Sequence, residues 1–128
     1  MQMSNTGPGA VLVVDDDPGV GELVRAMLVL EGFDVTLAGS DEAAMLALEA
    51  RPFDLVITDL LMPGRSGLET ISGIRRRDAG LPILAISGGG RIGADECLHT
   101  ARCLGADATL AKPFGHLELL AEVNGLLG

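Results

Sequence analysis

The sequence predicts one α/β domain: a doubly wound, five-stranded parallel sheet in (βα)5 order with helices on both faces. Three observations carry this. Short apolar runs stop abruptly at charged or hydroxyl residues: Val11-Leu12-Val13-Val14 before Asp15-Asp16-Asp17, Leu55-Val56-Ile57-Thr58 before Asp59, Ile83-Leu84-Ala85-Ile86 before Ser87, and Ala108-Thr109-Leu110-Ala111 before Lys112. Such runs read as buried parallel strands that deliver a side chain at their carboxyl ends. Stripes of helical period separate them, as right-handed crossovers require. The 128 residues suffice for one core and are too few for a second folded module.

Each element has its own signal. The first strand is expected over residues 10–14. Asp17-Pro18 then reads as an N-cap with proline in the first helical position. Val20, Leu23, Val24, Met27 and Leu28 follow at helical spacing, and Gly32 closes that helix. Residues 33–37 alternate apolar and polar, which suits a strand near the sheet edge. Ser40 caps a second helix reaching Ala50, with Asp41 and Glu42 at its positive end. The third strand is expected over 54–58. A turn through Met62-Pro63-Gly64 leads to a third helix with Leu68, Ile71 and Ile74 on its apolar side, weakened locally by Gly73. The fourth strand is expected over 82–86, a helix over 92–104 closed by Gly105, the fifth strand over 108–111 and a last helix over 115–127. These elements form a domain over 10–128 behind a flexible tail over 1–9, with no output module expected.

Composition narrows the function. The chain is 48% hydrophobic and 21% charged, as a globular domain is. Phe33, Phe53 and Phe114 are the only aromatic residues, so no platform for stacking bases exists. A formal charge of −9 repels nucleic acid and anionic membrane, and neither is an expected partner. The basic run Arg75-Arg76-Arg77 is expected to be a solvated helix end that complements the dipole. Cys97 and Cys103 lack metal-ligand spacing and read as reduced, partly buried residues. No apolar stretch approaches membrane-spanning length, which leads to the expectation of a cytoplasmic protein.

The chemistry lies at the strand ends, where ligands bind in open α/β sheets. Asp15 and Asp16 follow the first strand and Asp59 follows the apolar run of the third. Neighbouring strands bring their carboxylates together, and like charges at short range resist ionisation. A hard divalent cation resolves the conflict, and magnesium leaves coordination positions for phosphate oxygens. Asp17 suits a cap, but capping does not account for Asp59 behind the run Leu55-Val56-Ile57-Thr58. Asp59 is the expected nucleophile, forming an aspartyl-phosphate in line with a departing donor. The Ser87 hydroxyl and the Lys112 ammonium are expected to hold phosphoryl oxygens. His99 and His116 sit in helical contexts away from the strand ends and read as surface or capping residues.

Four motifs in order, Val13-Val14-Asp15-Asp16-Asp17-Pro18, Asp59-Leu60-Leu61-Met62-Pro63-Gly64, Ile86-Ser87-Gly88 and Lys112-Pro113-Phe114, resemble those of the receiver domain of two-component response regulators. The resemblance covers residue 10 to the C-terminus. It implies a flavodoxin-like fold and phosphorylation of Asp59 by a histidine kinase or histidine phosphotransfer protein. It implies Mg2+ held by Asp16, Asp59 and the Leu61 backbone carbonyl, with Asp15 in support, and a cis Lys112-Pro113 bond. The face formed by the fourth helix, fifth strand and fifth helix is where a downstream target protein is expected to dock, with the apolar excess of Leu117, Leu119, Leu120, Val123, Leu126 and Leu127 partly exposed there.

Departures from the family pattern carry their own expectations. Thr109 stands where the family often places an aromatic switch residue, so the 87–90 loop and the helix over 92–104 are expected to carry the signal. Leu61 and Gly89 occupy positions that flank the hydrolytic water in receivers; neither is polar, which implies a long-lived aspartyl-phosphate. The leading reading is a stand-alone receiver that relays its phosphoryl group or changes its protein binding, and not an enzyme acting on a separate substrate. Aspartate-nucleophile phosphohydrolases carry a second Asp two residues after the nucleophile, where this chain has Leu61. A receiver that docks without phosphorylation has no need of the full set Asp16, Asp59, Ser87 and Lys112.

Overall fold

The computed structural model describes residues 9–62, 65–87 and 105–127. Five parallel strands form the sheet: β1 (Ala10–Val14), β2 (Asp34–Ala38), β3 (Leu55–Asp59), β4 (Ile83–Ser87) and β5 (Ala108–Ala111). Their spatial order is β2-β1-β3-β4-β5. Four described helices join them: α1 (Pro18–Leu30), α2 (Asp41–Ala50), α3 (Gly67–Arg77) and α4 (His116–Leu127). The expected helix over 92–104 lies outside the described residues, as do Cys97, His99, Cys103 and the Gly88-Gly89-Gly90 loop.

The period of two along each strand divides the core into two layers. Leu12, Val14, Val56, Ile83 and Ala85 face one side, where Ala44 of α2 and Ile71 and Ile74 of α3 cover them. Val11, Val13, Leu55, Ile57, Leu84 and Ile86 face the other, under Val24 and Leu28 of α1 and Leu119 and Val123 of α4. Covered on both faces, β1, β3 and β4 are apolar almost throughout, while the edge strands β2 and β5 are only partly buried. Among the described residues no helix is long and apolar enough to cross a membrane.

The helix signals work as their chemistry dictates. Asp17 accepts from the Gly19 and Val20 amides at 2.9 and 3.3 Å, with Pro18 opening α1. At its other end Gly32 takes φ +94°. Its amide donates to the Val29 carbonyl at 2.9 Å, and the Phe33 amide donates to that of Leu28 at 3.1 Å, which closes the helix and turns Phe33 into the core. The Ser40 hydroxyl accepts from the Ala43 amide at 3.1 Å. Gly115 has no side chain with which to cap α4, and Glu118 reaches back instead to accept the Gly115 amide at 2.9 Å.

Three strands begin and end one residue later than expected. Phe33 serves the helix closure, and the Asp54 carboxylate accepts the Ala10 amide at 2.8 Å, so β2 and β3 start after these residues. Pro82 has no amide to donate, and β4 starts at Ile83. A two-residue antiparallel ladder, Leu61–Met62 with Arg65–Ser66, follows β3 and was not expected within the turn.

The basic run needs a larger correction. Arg76 and Arg77 are exposed, but the Arg75 side chain is only 17% exposed. Its guanidinium donates to the carbonyls of Gly105 (2.9 Å), Leu81 (2.6 Å) and Asp78 (3.2 Å) and to the Asp107 carboxylate (2.7 Å). The same carboxylate oxygen accepts the Ile83 amide at 2.8 Å, so one arginine ties α3 to the starts of β4 and β5. Gly105 has φ +121°, and a Cβ there would meet the Arg75 side chain at 2.8 Å.

In α4, Leu117 is 80% exposed, Leu119 and Val123 are buried, and Leu120, Leu126 and Leu127 are partly buried. The expected apolar excess therefore reduces to one strongly exposed leucine. Most of the stripe is core.

Candidate functional site

The strand register assembles the site. Val14 pairs with Thr58, Asp59 with Ile86, and Ser87 with Ala111, so the ends of β1, β3, β4 and β5 form one row. Backbone bonds extend each ladder past the strand ends. The Asp15 amide donates to the Ala38 carbonyl (3.0 Å), that of Leu60 to Ile86 (2.9 Å) and that of Lys112 to Ser87 (2.8 Å). These bonds fix the polar residues on rigid backbone. Thr58 adds a further hold that its place inside an apolar run does not announce: wholly buried, it donates its hydroxyl to the Asp59 carbonyl at 3.3 Å.

Carboxylate oxygens of Asp15, Asp16 and Asp59 all lie within 4.8 Å of one another. Lys112 Nζ lies 3.4 Å from Asp59 Oδ2 and 4.0 Å from Asp15 Oδ2. The Asp59 and Asp15 side chains are almost wholly buried, whereas Asp16 is exposed. The two oxygens of Asp15 have separate duties: Oδ1 accepts the Asp17 amide at 2.9 Å and shapes the turn, while Oδ2 faces Lys112. Burial, with the charges of Asp59 and Asp16, pushes the Asp15 carboxyl up to about 6, against the Asp17 amide and Lys112.

The cluster therefore holds more negative charge than its single lysine offsets among the described residues. Oxygen-only donors with one exposed member form a set that a hard divalent cation suits, and Mg2+ above all, because it needs only one or two carboxylates and retains water. A crevice of about 220 Å³ opens beside Asp15 and Asp16, between Pro18 and Gly39.

All the described candidates fall at this edge. Asp15, Asp16, Asp59 and Lys112 come together, and Ser87, 1% exposed, ends the strand between Asp59 and Lys112. Leu61, two residues after Asp59, pairs with Ser66 in the short antiparallel ladder. The Lys112-Pro113 bond is cis. Thr109, partly buried, pairs with Ala85 from the edge strand β5. His116 takes no part: its Nε2 lies 3.4 Å from Glu31 Oε2.

The chain is similar to known proteins in sequence and in fold. Residues 11–124 match the family model of the response regulator receiver domain. The chain is 32% identical over 127 residues to the probable transcriptional regulatory protein TcrX of Mycobacterium tuberculosis, covering 99% of this chain and 53% of that protein. It is 38% identical over 120 residues to the DNA-binding response regulator MtrA of Mycolicibacterium smegmatis, covering 91% and 50%. The chain thus spans about half the length of these curated relatives. Among solved structures, the receiver domain of the Francisella response regulator 1452 superposes with a TM-score of 0.82 at 26% identity, covering 93% of this chain and 96% of that one. In sequence and in fold alike, the chain belongs to the response regulator receiver domain family.

Proposed function

We propose that this chain is a phosphoryl acceptor in two-component signalling, with Asp59 as the acceptor and a phosphohistidine of a kinase or phosphotransfer protein as the donor. The observation that carries this reading is the meeting of Asp15, Asp16 and Asp59 within 4.8 Å, with the Lys112 ammonium 3.4 Å from Asp59. In the transfer, an Asp59 carboxylate oxygen forms the O–P bond as the donor's P–N bond breaks, and the freed imidazole leaves with the electron pair and takes up a proton. Lys112, held by its backbone bond to Ser87, stands ready to pair with a phosphoryl oxygen, and the Ser87 hydroxyl donates to another. Asp16, Asp59 and the Leu61 carbonyl would hold Mg2+, with Asp15 in support. Bound there, the ion neutralises charge that develops on the transferring group.

The output is a changed protein-binding surface or onward transfer of the phosphoryl group. TcrX is a probable transcriptional regulatory protein and MtrA a DNA-binding response regulator. With a charge of −9, the present residues are proposed to act through protein contacts. Intact-mass analysis after incubation with a small phosphodonor tests the reading. A gain of one phosphoryl group is expected with Mg2+, and none with chelator or in Asp59→Asn. A folded wild type that gains nothing even from a phosphorylated histidine protein would refute it in favour of docking alone.

A further inference from the structure

At the amino edge of the sheet, across the molecule from Asp59, a second cavity of about 220 Å³ lies where the end of α2 meets the end of α3. Its apolar lining includes Phe53 and Leu81, core residues that keep a little accessible surface, with Ile74 wholly buried behind the wall. Two guanidinium groups from different elements join it: Arg51, after α2, and Arg77, the last residue of α3. The Arg51 guanidinium stacks 5.2 Å from the centroid of the Phe53 ring, which orients it along that surface. The arginines also make exposed ion pairs, Arg51 with Asp34 at 3.0 Å and Arg77 with Glu49 at 3.4 Å, and pairs of this kind exchange partners at little cost. Asp78 is the one opposing charge in the lining, and its carboxylate accepts the Gly80 amide at 2.9 Å.

An apolar floor beside two cations selects one chemistry. A neutral apolar molecule leaves the guanidinium groups unused, and a cation is repelled by them. A dianion with little hydrocarbon has no use for Phe53. The lining itself carries two arginines and one acid, and a carboxylate entering the cavity would take the place of their exposed partners Asp34 and Glu49. We infer that this cavity binds a small monocarboxylate with an apolar body, the body against Phe53 and Leu81 and the carboxylate between Arg51 and Arg77. The volume admits about one ring and its carboxylate, well below the size of a drug-sized site. The site is independent of the phosphoryl chemistry, since it shares no residue with the carboxyl edge.

Amide NMR of the full chain at fixed pH and ionic strength tests this, with phenylacetate as the probe and phenylacetamide as its neutral analogue. Phenylacetate is expected to produce saturable shifts centred on Phe53, Ile74, Arg77 and Leu81, with an apparent Kd on the order of 1 mM for so small a ligand. Arg77→Gln and Arg51→Gln should each weaken binding about three- to tenfold, in proportion to one lost charge-assisted contact. Arg77→Gln is the cleaner variant, because Arg51 also stacks on Phe53. Phenylacetamide should bind more weakly than phenylacetate. Absence of saturation up to tens of millimolar, or shifts equal for both probes, or shifts unchanged in both arginine variants would overturn the proposal.

Discussion

Two residues show how a local reading and a tertiary role part company. Arg75 follows the rule that cations gather at helix C-termini, yet its guanidinium is spent on three carbonyls and a carboxylate from other segments. Truncation strips several part-buried acceptors of their donor at once. Arg75→Ala should therefore cost about 2–4 kcal/mol of unfolding free energy by urea titration. Arg75→Lys should recover only part of it, since an ammonium cannot span the same fork. Arg76→Ala, on the exposed neighbour, should change stability by less than about 0.5 kcal/mol. Asp15 makes the opposite point, because its environment penalises its own charge. Its carboxyl titrates near 6 when folded, against 3.8 when free. The folded state therefore holds this proton more tightly, and its contribution to stability is complete below about pH 4 and lost as pH rises through 6. Asp15→Asn keeps an oxygen for the Asp17 amide and removes the ionisation. In metal-free buffer it should gain on the wild type between pH 5 and pH 7.5, by about 1.4 kcal/mol, read from melting temperatures of the two proteins at both pH values.

The elements are held by punctuation as much as by burial. Gly32 sits in the left-handed region where two backbone bonds close α1, and Phe33 beside it enters the core. Gly32→Ala should cost about 1–2 kcal/mol by thermal or urea denaturation, whereas Gly39→Ala, where an added Cβ meets nothing, should be nearly neutral. Such signals were legible because they are local: Asp17-Pro18, Ser40 and Gly32 each act within four residues of themselves. The strands were legible because parallel strands covered on both faces must be apolar throughout, and β2 and β5 betray their edge positions by mixed burial. Their bounds were less so. Hydrogen bonds made by Asp54, Phe33 and the residues after each strand decide where a ladder starts, and apolar content alone does not report them. At the site, the strand ends made Asp15, Asp16, Asp59, Ser87 and Lys112 visible as a group, although Lys112 and Asp59 are 53 residues apart. The Arg75 clamp was invisible. Its partners Gly105 and Asp107 lie 30 and 32 residues away, and no periodicity or motif links them to Arg75.

At the scale of the whole molecule, the sheet separates two tasks. Its amino edge is tied by Arg75 and by the Asp54 and Asp107 carboxylates, each of which accepts a strand's first amide. Its carboxyl edge gathers like charges whose repulsion works against the fold. A cation taken up there binds the native state alone, because the three acids come from β1 and β3 and converge only when those strands pair. It must therefore stabilise by mass action, by about 2.7 kcal/mol at a hundred times its Kd. For a domain of this size that is a rise in melting temperature on the order of 10 °C. Scanning calorimetry in MgCl2 and in NaCl of matched ionic strength separates specific uptake from simple screening of the surface. The rise should be confined to MgCl2, fall sharply in Asp16→Asn and Asp59→Asn, and be smaller at pH 5 than at pH 7.5, because protonated Asp15 lowers the charge of the site. Equal rises in both salts, or a full rise in Asp16→Asn, would mean that the acids meet without forming a metal centre, and the carboxyl edge would then have to be read as a docking surface alone.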